Sequence, residues 1–152
     1  MEIDYEGILA LAEKLINSAG QREDVLTAIC FLLKDEVPHY DWVGIYFADN
    51  KKQLLRLGPY AGEPTEHATI PFGKGICGQV AESQEIFVVQ DVGEQDNYLA
   101  CSPFVKSEIV VPIMKENKLV AQFDIDSHSP NPFTEDDQIF LGKLAAELTS
   151  IV

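Results

Sequence analysis

CSPFVKSEIVVPIMKENKLVAQFDIDS, residues 101–127, contains two apolar, β-rich runs, Ile109–Met114 and Leu119–Asp126. The short polar connection Lys115-Glu116-Asn117-Lys118 joins them, so the pattern predicts a β-hairpin. Three acids interrupt it: Glu108 where the first strand begins, and Asp124 and Asp126 where the second ends. Antiparallel pairing sets the start of one strand beside the end of the next, which gathers all three at one end. Asp124 and Asp126 alternate with Ile125 and so share a face. Cys101 precedes the same end. Folding alone does not account for clustered carboxylates, because buried charge is costly and like charges raise one another's pKa.

Outward from the hairpin, the order of elements predicts an α+β fold, an antiparallel sheet with helices on it. Apolar positions Ile8, Leu11, Leu15 and Ile16 predict a helix within residues 4–18. Val25, Ala28, Ile29, Leu32 and Leu33 predict a second from Arg22 to Val37, closed by Pro38. Residues 41–48 alternate and are rich in aromatic and β-branched types, hence a strand, with a partner over 52–58. The glycines and prolines of GPYAGEPTEHA predict a loop. In IPFGKGICGQVAES, Gly73 and Gly75 bracket a turn before a short helix from Ile76 to Ser83. Residues 86–89 read as a short strand, and 91–106 as a long loop of the functional kind, such as a lid. Thr134 and Asp137 have capping-box spacing ahead of a last helix with Ile139-Phe140, Leu144, Ala145, Leu148 and Ile151 on its buried stripe.

The chain has 152 residues, 46% of them apolar, which suits one domain with a full core. Its formal net charge of −14 argues against a nucleic-acid partner, since phosphate binding needs the opposite sign. No apolar run reaches membrane-spanning length, and MEIDYEGIL lacks the features of a signal peptide, so a cytoplasmic protein is expected. Three cysteines are too few for a disulfide framework. Cys30, inside a helix, reads as a small buried hydrophobe, and His39, His67 and His128 as surface or loop residues without metal-ligand spacing, so no metal is expected.

DWVGIYF, LGPYAGEP, IPFGKGICG, the LAC of LACSP, SEIVVPI and FDIDS, in this order, resemble the GAF domain and, more narrowly, the free methionine-(R)-sulfoxide reductases. The resemblance spans nearly the whole chain as a single GAF domain over residues 1–152, clearest from Asp41 to Leu141. It implies a GAF-like six-stranded antiparallel sheet flanked by N-terminal and C-terminal helices, often dimeric. The implied reaction is reduction of free methionine sulfoxide, with no bound cofactor and a thioredoxin-like external reductant. By the same resemblance Cys101 is the attacking thiol and Cys77 the resolving one; Glu108, Asp124 and Asp126 surround the sulfoxide and substrate amine; Trp42 and Tyr46 wall the methyl-sulfur end. Three departures stand out. His67 occupies the place of a third cysteine, and Tyr98 and Ser102 replace a histidine and an aspartate.

Simpler roles compete with these. Trp42 and Tyr46 share a strand face and, taken alone, are core aromatics; Cys77 suits a packed thiol; Asp124 suits a strand cap and Asp126 the turn at Ser127-His128. Three converging acids favour a site. A non-catalytic GAF sensor is the second functional reading, and an interaction module dimerising through its helices a third. The carboxylates disfavour a phosphate-bearing ligand.

Overall fold

The computed structural model describes residues 2–95 and 104–152. Helices α1 (Tyr5–Ile16) and α2 (Arg22–Glu36) precede strands β1 (Trp42–Asp49), β2 (Leu54–Ala61) and β3 (Thr69–Pro71). Helix α3 (Gly75–Ser83) and strand β4 (Phe87–Val89) follow, then β5 (Ser107–Lys115), β6 (Lys118–Ser127) and helix α4 (Glu135–Leu148). The strands form one antiparallel sheet in the order β3-β2-β1-β6-β5-β4, as expected for an α+β GAF-like fold.

The β5–β6 hairpin turns through Glu116 and Asn117, with φ of 52° and 63°. Positive φ at both central residues is the twist-matched hairpin geometry, which pairs Lys115 with Lys118 and Met114 with Leu119. A one-residue shift between Ile113 and Met114 then sets the register that brings Glu108 opposite Asp126. Pro112 sits just past the last β4 pair, Phe87 opposite Val110, where β5 becomes an edge and tolerates a missing donor. Strand alternation then divides the sheet. Ala121, Phe123 and Ile125 of β6, with Val43, Ile45, Ile109 and Val111, join the core built with α1, α2 and α4. The opposite face carries a smaller cluster with α3 that includes Trp42, Tyr46, Val110 and Cys77.

Three expectations are corrected. Ile139, expected on the buried stripe of α4, is exposed. Pro59 to Ala61, expected as loop, continue β2: Tyr60 pairs with Gly44 and Ala61 with Val43. The register shifts between Gly44 and Tyr46, so Gly58 and Pro59 oppose Ile45 in a bulge, the one in-strand setting that suits Gly and Pro. Residues 69–71, also placed outside any strand, form β3 against β2.

Asp137 does more than cap α4. Besides accepting from the Thr134 backbone N–H at 2.8 Å, its Oδ1 accepts from Tyr5 Oη and Tyr40 Oη, both at 2.7 Å, and lies 2.9 Å from His39 Nε2. His39 is therefore not a bystander on the surface, as its spacing suggested. This carboxyl ties α1, the entry to β1 and α4 together. Its donors hold its pKa below the ordinary value despite burial, which pulls the other way.

Replacing Asp137 by Ala strands several buried donors and should cost about 3 kcal/mol or more in denaturant unfolding. A depressed folded pKa contributes stability that is fully present above the unfolded carboxyl value, about 3.9, and is lost as pH falls through the folded one. Asp137→Asn should accordingly flatten the acid limb of the stability curve.

Candidate active site

Alternation on the central strand builds the site. With Ala121, Phe123 and Ile125 committed to the helical core, Gln122, Asp124 and Asp126 must face the other way. Across β5 Glu108 lies opposite Asp126 and Val110 opposite Asp124; across β1 Trp42 lies opposite Asp126, Gly44 opposite Asp124 and Tyr46 opposite Gln122. The three acids thus converge, and all are buried: Glu108 is 4% exposed, Asp124 1% and Asp126 1%.

Helix α3 lays Cys77 over them. Gly73 and Gly75, with φ of 87° and 64°, turn the chain into the helix, as expected. Gly78 packs so closely that an added Cβ would sit 2.6 Å from Pro71 O, so the helix seats against the strand end only through glycine. Gln122 Nε2 donates to Cys77 O at 2.9 Å, which pins the first turn of α3 to the sheet. Cys77 Sγ lies 4.0 Å from Glu108 Oε2. One ligating atom from each of Cys77, Glu108 and Asp124 falls within 4.8 Å of the others. The space between them is a cavity of about 10 Å³, lined also by His67, Ile70, Lys74, Gly75 and Ile76.

Burial, then the Asp124 and Glu108 charges, push the Cys77 thiol well above its usual value. Burial also raises Asp124, against hydrogen bonding with Glu108 and Cys77 and the charge of His67. The cluster therefore favours protonated groups and welcomes a cation.

Trp42 stands on the next strand opposite Asp126, outside the residues that line this cavity. Its indole covers Gly44, where any Cβ would overlap the ring, and an added Cβ at Gly62 would lie 2.6 Å from Cδ1. The ring stacks on Tyr60 at 5.5 Å and Nε1 donates to Glu63 O at 2.8 Å. Tyr46 is fully buried and its hydroxyl donates to His67 O at 2.8 Å.

Of the residues expected at the site, Cys77, Glu108, Asp124, Asp126, Trp42 and Tyr46 share one face of the sheet. Cys101 lies outside the described residues, as do Tyr98 and Ser102. His67 lies in a loop, as expected, and from there also lines the cavity. Gln122 was missed, though its parity with Asp124 and Asp126 pointed inward. Cys30 is buried, as expected, with Sγ 3.7 Å from Pro59 O. No helix among the described residues is long and apolar enough to cross a membrane.

Residues 20–152 match the GAF domain family. The free methionine-R-sulfoxide reductase of Escherichia coli is 31% identical over 121 residues, 80% of this chain and 72% of that protein. The Saccharomyces cerevisiae protein of the same name is 33% identical over 145 residues, 94% of this chain and 78% of that one. A free methionine-R-sulfoxide reductase from Neisseria meningitidis, solved in complex with its substrate, superposes with a TM-score of 0.91 at 32% identity, covering 96% of this chain and 86% of its own. The chain belongs to the GAF domain family and, within it, to the free methionine-R-sulfoxide reductases.

Trp42 is the chain's single tryptophan, so its emission reports on this site. Gly44→Ala should displace the indole, shift the emission to longer wavelength and cost about 1–3 kcal/mol of stability as an overpacked core does.

Proposed function

We propose that this chain is an oxidoreductase that reduces free L-methionine (R)-sulfoxide to methionine. The observation that carries the reading is the buried union of Cys77 with Glu108 and Asp124, beside Asp126 and the Trp42 ring, in a chain of this family.

Cys101 attacks the sulfoxide sulfur. A carboxyl of the cluster, Asp124 in its raised-pKa protonated form, donates to the oxygen as a general acid. The oxygen passes to sulfur, leaving methionine and a sulfenic acid on Cys101. Cys77 condenses with that sulfenic acid, forming a disulfide and releasing water. A thioredoxin-like dithiol restores both thiols by exchange, itself becoming a disulfide. Glu108 and Asp126 complement the substrate ammonium, whose charge offsets theirs, and Trp42 and Tyr46 supply an apolar wall for the methyl-sulfur end. No bound cofactor is needed, because every electron comes from thiols. The reading sets the enzyme in the reducing cytoplasm and, by the family resemblance, as a homodimer.

Purified chain given free methionine (R)-sulfoxide and a thioredoxin system should turn over, and Cys101→Ser should drop to background. Cys77→Ser should release one methionine per chain and then stall with thioredoxin. Binding without turnover would favour the sensor reading instead. In single-turnover methionine release, the rate should fall as pH rises through a group above the ordinary carboxyl range. Asp124→Asn should remove that limb and lower the rate by about 10²–10⁴-fold.

A further inference from the structure

The histidine spacing that argued against a metal is silent about a ligand set made of one thiol and two carboxylates. Cys77, Glu108 and Asp124 come from three elements, α3, β5 and β6, and present their ligating atoms within 4.8 Å of one another. All three are buried. Asp124 Oδ1 has no hydrogen-bond partner among the described residues, although Asp124 lines the cavity between them. That cavity, about 10 Å³, has room for one particle the size of a water molecule. A buried carboxylate with one unpartnered oxygen, lining so small a space together with a thiol and a second carboxylate, is the setting of an ion.

From this geometry we infer that the reduced protein binds one thiophilic divalent cation of the zinc type, held by Cys77 Sγ, Glu108 and Asp124. Zinc takes sulfur at about 2.3 Å and carboxylate oxygen at about 2.0–2.2 Å in a tetrahedron, which sets donor atoms about 3.5 Å apart. Cys77 Sγ and Glu108 Oε2 stand 4.0 Å apart and the whole set lies within 4.8 Å, so side-chain adjustments of about 0.5–1.3 Å close it. The cation removes the like-charge repulsion among these groups, and a coordinating thiol gives up its proton. Metal and substrate cannot share the cavity. Rested on the proposed reaction, occupancy ties up the resolving sulfur, so zinc is a reversible inhibitor that a chelator lifts.

Cadmium is the spectroscopic probe, since a bound thiolate gives an ultraviolet charge-transfer band. The fully reduced chain should develop that band to saturation at one cadmium per chain, and zinc should displace it. Cys77→Ser should abolish the band. Asp124→Asn should weaken binding by at least about tenfold, the loss that even an outer-shell partner causes. Cys30→Ser should leave both unchanged. Independently of any variant, zinc should protect Cys77 in the unmodified chain from alkylation, read by peptide mass mapping, and chelator should restore the labelling. A band that survives in folded Cys77→Ser, a stoichiometry well below one, or alkylation of Cys77 unaffected by zinc overturns the inference. The two readings fail separately: turnover without the cadmium band refutes the metal site alone, and the band without turnover refutes the reductase reading alone.

Discussion

Desolvation of carboxylates on the central strand is the constraint on which the rest of the structure depends. β6 is flanked by β1 and β5 and cannot relax outward, so its alternating residues must be accommodated on both faces. Phe123 and Ile125 meet the helical core, which leaves Asp124 and Asp126 no route to water. Removing an ion from water costs several kcal/mol even after relaxation. That cost falls on the face opposite the helical core, where Cys77 and the carboxylates gather. A register slip of one residue would exchange the two sets and bury the acids against α1, α2 and α4. The positive-φ pair Glu116-Asn117 and the one-residue shift beyond it, between Ile113 and Met114, together set this register.

The neighbouring strand follows from the same logic. A ring lying flat beside Asp124 and Asp126 requires that β1 have no side chain beneath it, and Gly44 meets this need. Gly62, with φ of 133°, clears the other edge, and Tyr60 reaches Trp42 only because β2 continues through the Gly58-Pro59 bulge. Residues that look like turn chemistry are in this fold the means of laying an indole beside carboxylates.

That is also why part of the structure was illegible in the sequence. The β5–β6 hairpin, the helices and the convergence of Glu108, Asp124 and Asp126 follow from local periodicity, which is a short-range property. The extension of β2 and the formation of β3 depend on a bulge opposite Ile45 and on a partner strand, and Gly and Pro signal a turn whenever the partner is unknown. His67 meets Cys77, Glu108 and Asp124 at the cavity through contacts of long sequence separation, which spacing does not encode. Asp137 was legible as a helix cap, yet its bonds to Tyr5, His39 and Tyr40 span up to 132 residues of separation and left no local trace.

The two buried acid sites separate stability from function. Asp137 and Asp124 are both withdrawn from solvent, yet their pKa values move in opposite directions. At Asp137 two phenols, an imidazole and a backbone N–H compensate the charge, so ionisation is favoured and the helices are tied down. At Asp124 the neighbours are another carboxyl and a thiol, and one oxygen has no partner among the described residues. Burial raises Asp124, whereas the donors gathered on Asp137 outweigh its burial, so one acid braces the fold as a charge and the other favours its proton.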